Sequence, residues 1–128
     1  MLSSAFSCSV DGVDSSNYQE ILPIESAMVP SEFLLNETYE ITVTYLRPTS
    51  CHAFNNIYYQ KHNNERTVAV ITTFFGDNGN CTTIDSPLEA TFNFKATQVG
   101  TYVFKFWQGE DDNGEDSYLI VEVPVTEE

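Results

Sequence analysis

The run Ala90-Thr91-Phe92-Asn93-Phe94-Lys95-Ala96, followed after Val99-Gly100 by Thr101-Tyr102-Val103-Phe104-Lys105-Phe106-Trp107-Gln108, decides the fold class. In the first segment Phe92, Phe94 and Ala96 alternate with Thr91, Asn93 and Lys95. In the second, Tyr102, Phe104 and Phe106 alternate with Val103, Lys105 and Trp107. A period of two belongs to a strand with one buried face, because successive side chains point to opposite sides of a sheet. Val99-Gly100 between the segments supplies a tight return. The alternation is carried by aromatic and β-branched residues, which favour strands over helices.

The same period recurs outward from this pair. Ser117 to Val125 places Leu119, Val121, Val123 and Val125 on one face and Glu122 on the other. Before it, Asp112-Asn113-Gly114-Glu115 carries the Asn-Gly pair that tolerates positive φ in a hairpin. Tyr39 to Leu46 alternates Ile41, Val43 and Tyr45 with Glu40, Thr42 and Thr44, and Pro48 stops it by removing a ladder donor. Thr67 to Phe75 is apolar on both faces, the pattern of a central strand covered on both sides. Asp77-Asn78-Gly79-Asn80 then reads as a turn. Tyr18 to Ile24, Ala27 to Val29 and Ala53 to Gln60 are weaker strands. About seven short strands with turn signals at this spacing predict an all-β chain folded as one antiparallel β-sandwich. The spacing Phe92-x-Phe94…Gly100-x-Tyr102-x-Phe104-x-Phe106 resembles the closing strands of bacterial immunoglobulin-like domains. That resemblance implies an immunoglobulin-like sandwich over residues 18–128.

Residues 1–17 are rich in Ser, Asp and Gly and carry no periodicity, so they read as a signal remnant and flexible tether. Small residues lead into Ser7-Cys8-Ser9, and Asp11 and Asp14 follow. This junction resembles that of small outer-membrane lipoproteins of the Bacteroidetes type. The resemblance implies lipid attachment at Cys8, export, and a periplasmic or cell-surface position at an outer membrane. With Cys8 given to lipid, Cys51 and Cys81 remain, and in an exported protein such a pair is expected to be a disulfide. Closing a loop of about 30 residues contributes about 3.6 kcal/mol in the chain-entropy account.

Charge narrows the partners. The chain has 19 acidic and 5 basic side chains, for a formal net charge of −14 over 128 residues. Such a surface repels nucleic-acid phosphates, which excludes nucleic acid as a partner. The length suits one domain with a real core. No run approaches the ~20 apolar residues of a transmembrane helix.

Chemistry finds little purchase. The two histidines, His52 and His62, are expected on exposed loops, and neither joins a nucleophile or metal pattern. No catalytic residue, metal set or cofactor motif can be assembled, so the chain reads as a non-enzyme without a cofactor. The acidic run Glu110 to Asp116 fails the EF-hand test, because its loop would begin at Gly109 and end at Ile120. It reads as a solvated hairpin tip. Trp107, with Tyr58 and Tyr59, is the candidate contact set, suited to a protein or glycan partner. Loops at one end of the sandwich are expected to present it. The expected function is a lipid-anchored, non-catalytic binding module, an accessory subunit of an outer-membrane complex. The alternative is a protease inhibitor resembling the chagasin-type immunoglobulin-like inhibitors, for which Arg47-Pro48-Thr49 is the nearest loop fragment.

Overall fold

Period-two alternation becomes strand after strand in the computed structural model, which describes residues 17–76, 81–84 and 86–127. The strands are β1 (Asn17–Leu22), β2 (Ile24–Met28), β3 (Phe33–Leu34), β4 (Thr38–Leu46), β5 (His52–His62), β6 (Glu65–Phe75), β7 (Pro87–Lys95), β8 (Gly100–Glu110) and β9 (Asp116–Thr126). They form two sheets packed as a sandwich. The smaller has the order β2-β4-β7, and the larger runs from β5 through β6, β8 and β9 to β3, with β1 also on β6. Pro23 separates β1 from β2, and there the chain crosses from one sheet to the other.

Two pairings depart from the expected antiparallel scheme. β6 runs parallel to β8, and the short β3 runs parallel to β9. The cause of the first is topological. β7, between them in sequence, lies in the other sheet, so the chain crosses over and returns in its original direction.

The core is the set of inward positions that alternation picks out. Ile41, Val43, Phe104, Phe106, Val68, Val70 and Val123 are fully buried. Phe94 packs edge-on against Tyr102 and Phe104, with ring centroids 4.8 and 5.1 Å apart. Tyr102 adds a fastening at the corner between β7 and β8. Its hydroxyl accepts hydrogen bonds from the backbone N–H of Thr97 and of Gln98, both at 3.1 Å. A tyrosine at the start of a strand bonded back to the preceding corner is a hallmark of immunoglobulin-like sandwiches. Burial alone would raise this phenol, but those bonds and the nearby Arg66 hold it below its usual value.

Cys51 and Cys81 form a disulfide. It joins the segment between β4 and β5 to the segment before β7. Beside it, Ser50 N–H donates to Thr82 O at 2.9 Å, and Thr49 bridges Thr83.

Several expectations need correction. β5 is a full 11-residue strand, while β3 is only two residues long and showed no periodicity. His52 is not an exposed loop residue. It is buried at the start of β5, its Nε2 2.7 Å from Glu20 Oε1, its Nδ1 3.0 Å from Thr49 Oγ1, and its ring against Phe74. β6 is not covered on both sides by the described residues: among them no layer packs on the outer face of the larger sheet. Cys8, residues 1–16 of the tether and the Asp77–Asn80 turn lie outside the described residues, and Asn17, assigned to the tether, opens β1.

Candidate binding surface

The site begins with a fork in the larger sheet. One edge of β6 is shared: β1 pairs with Val70 to Phe75, and β8 pairs with Glu65 to Val68. Ala69 falls between the two pairings. Past it, β1 leaves at Pro23 while β8 runs on, and Gln108 Nε2 donates to Ile24 O at 3.0 Å, tying β8 to the start of β2. Over the fork, the outer face sinks into a hollow of about 600 Å³.

Register decides which side chains line it. Antiparallel partners share a face, so Tyr58 stands with Ala69 and Trp107 with Tyr118. The parallel pairing adds Lys105 beside Thr67, and Ile21 of β1 closes the far side. Ala69 is only 5% exposed although it points outward, so it forms the floor. Trp107 Nε1 donates to Asp116 Oδ1 at 3.1 Å, which sets the indole plane. Lys105 Nζ lies 4.8 Å from the Tyr118 ring centroid and 4.0 Å from Glu65 Oε1. Burial, then Asp116 and Tyr58, push the Tyr118 phenol up, so at neutral pH it stays a protonated donor. The arrangement can stack a flat or apolar group on two or three rings while polar groups at the rim fix its orientation.

The other face of the sandwich provides the contrast. Across the smaller sheet, the outward pairs are Glu40 with Asn93, Thr42 with Thr91 and Thr44 with Glu89, with the Thr42 and Thr91 hydroxyls 3.1 Å apart. On the larger sheet, Tyr58 is 40%, Ile21 46% and Ile120 50% exposed. Apart from Met28, 67% exposed on β2 opposite Thr42, the smaller sheet's outer face is polar, while the larger sheet's carries several uncovered apolar side chains.

Two of the three anticipated contact residues therefore meet. Trp107 and Tyr58 share the hollow, on strands of the sheet rather than at the loop tips. Tyr59 does not join them. One residue further along β5 it faces the other way, toward Phe92 of the smaller sheet at 5.9 Å between centroids. Burial raises its phenol, and Arg66 pulls it partly back. Tyr118, Lys105 and Ile21 were missed, although the Tyr118-x-Ile120-x-Glu122 alternation marked an outward face. Arg47-Pro48-Thr49 belongs to the scaffold here: Arg47 Nη1 donates to His52 O and Thr49 Oγ1 accepts from Cys51 N–H. At the acidic hairpin, Asp111 Oδ1 accepts from the N–H groups of Asn113 and Glu115, which closes the turn. Among the described residues no group of three or more His, Cys, Asp or Glu is arranged to hold a metal ion.

A family model described as the ORF11 beta-sandwich domain matches residues 41–120, a span that includes Tyr58, Trp107 and Tyr118. No curated protein and no solved structure matches the chain.

Proposed function

This chain belongs to the ORF11 beta-sandwich domain family, and from that premise we propose that it is a non-catalytic interaction domain taking a protein partner on the hollow of its larger sheet. A sandwich fold leaves function to the site it carries, so the hollow supports the reading. The single observation behind it is the Trp107–Tyr58–Tyr118 cluster on an uncovered sheet face, flanked by Ile21 and Ile120. An aromatic and aliphatic centre with Gln60, Glu65 and Asp116 at its rim has the composition of a protein contact surface. The net charge of −14 favours a partner with a basic surround. In the same reading lipid on Cys8 holds the domain at an outer membrane, where it serves as an accessory subunit. The Ser7-Cys8-Ser9 junction supports that part.

The test places a photo-crosslinking amino acid at Tyr58, Ile120 or, as control, Thr91, in the protein expressed in its native cells. Adducts with one protein of defined mass are expected from Tyr58 and Ile120 and not from Thr91. Trp107→Ala should remove them and weaken binding of the identified partner by about 1 kcal/mol or more, with the melting curve unchanged. Adducts from Thr91 alone would sink the proposal. Adducts abolished by soluble oligosaccharide would assign the hollow to a glycan instead.

A further inference from the structure

A second concavity lies on the opposite side of β5, and its charge is anomalous for this chain. β5 is the edge of the larger sheet and β7 the edge of the smaller, and a cleft of about 390 Å³ opens between them. Of the five Lys and Arg residues in the whole sequence, Lys61, Arg66 and Lys95 line it, and among the described residues no Asp or Glu does. In a chain with nearly four acidic groups for each basic one, scatter would not leave such an island.

Arg66 makes the case specific. It is 6% exposed, and its Nη1 donates to the carbonyls of Asn63 and Glu65 at 2.8 and 2.9 Å. Its guanidinium carbon sits 5.0 Å from the Tyr102 ring centroid. No carboxylate pairs with it among the described residues, where the ion pairs are His52–Glu20 and Lys105–Glu65. Its buried Nε, like that of Arg47, has no hydrogen-bond partner among the described residues. A buried cation without a counter-charge is costly, and a buried donor without an acceptor adds to the cost. Both are met by one anionic group entering the cleft.

We infer that the cleft between β5 and β7 binds a small organic anion, its carboxylate or phosphate held by Arg66, Lys61 and Lys95. Its apolar part lies against the Tyr59 and Phe92 rings, and the Asn93 side of the cleft completes the rim. Guanidinium and ammonium donors around one oxyanion make short charge-assisted bonds. The repulsion of the acidic surface fades over about 8 Å at physiological salt, so it does not reach into a locally cationic cleft. The site is separate from the outer hollow, although Lys61 at the end of β5 borders both.

The experiment follows the Arg66 Nε–H resonance by nuclear magnetic resonance while benzoate, phenyl phosphate or benzyl alcohol is added to the oxidised protein. Benzoate and phenyl phosphate should shift it saturably, and one of them more tightly, which distinguishes carboxylate from phosphate. Benzyl alcohol, the same ring without charge, should leave it in place. Lys61→Gln with Lys95→Gln, both at exposed positions, should weaken anion binding about tenfold without unfolding the domain. Trp107→Ala should leave it intact, which separates this site from the partner surface. No shift with either anion, equal binding of benzyl alcohol, or full affinity in the double lysine variant would each overturn the inference.

Discussion

Tyr102 shows how much one side chain can fasten. Its ring lies in the core, and its hydroxyl satisfies two backbone N–H groups at the β7–β8 corner. Tyr102→Phe keeps the ring and strands both donors, so the domain should lose about 2 kcal/mol, read as a lower urea midpoint with unchanged slope. A midpoint equal to the parent's would mean that water serves those N–H groups equally well. The sign of the linkage limits when ionisation contributes. Tyr102 ionises more readily folded than unfolded, so its linkage stabilisation is fully present above the unfolded value of about 10 and is lost as pH falls through the folded one. At neutral pH the hydroxyl acts through its hydrogen bonds alone. Alternation already marked Tyr102 as inward. Nothing in it could say that the hydroxyl would reach the corner, because that depends on where Thr97 and Gln98 turn.

At the scale of strands, β4, β7, β8 and β9 are legible because each keeps one sharply apolar row, and β6 because its run of β-branched and aromatic residues is apolar on both faces. β5 was read as weak for a physical reason: its outward Tyr58 and inward Tyr59 are both aromatic, so no contrast marks a face. For the same reason Tyr58 and Tyr59 were grouped as one contact set, though a strand sends neighbours to opposite sides. The fork in the sheet was invisible, since parallel β6–β8 pairing depends on β7 joining the other sheet. The Cys51–Cys81 bond belongs to this scale, because it clamps the entry of β5 to the segment ahead of β7. Reducing it, or substituting Cys51→Ser with Cys81→Ser, should cost about 3 kcal/mol in urea titration of the otherwise unchanged domain. Coincident curves for oxidised and reduced protein would show that the packing of β5 on β6 does the holding unaided.

For the whole molecule, charge was plain from composition while its placement was not. Nineteen acidic groups against five basic ones repel one another across a small folded surface. Raising sodium chloride from about 0.02 to about 0.5 M shortens the Debye length well below the domain's width. Stability should rise by about 1 kcal/mol, or about 4 °C in melting temperature. A melting temperature that stays flat or falls would mean that attractive pairs outweigh the repulsion. The sequence could not show that three of its few cations gather in one cleft, because Lys61, Arg66 and Lys95 are brought together only when β5 faces β7.

The disulfide also has a mechanical meaning. It closes a covalent ring of about 30 residues that holds β5, β6 and the hairpin between them. If the domain is stretched from its two ends, the strands outside that ring can unravel, but the ring itself cannot lengthen. At about 3.5 Å per residue, some 100 Å of chain is withheld from the extension. The segment that bears Tyr58, Tyr59, Lys61 and Arg66 thus stays looped, a stop in the line, even when the rest of the sandwich has been drawn out.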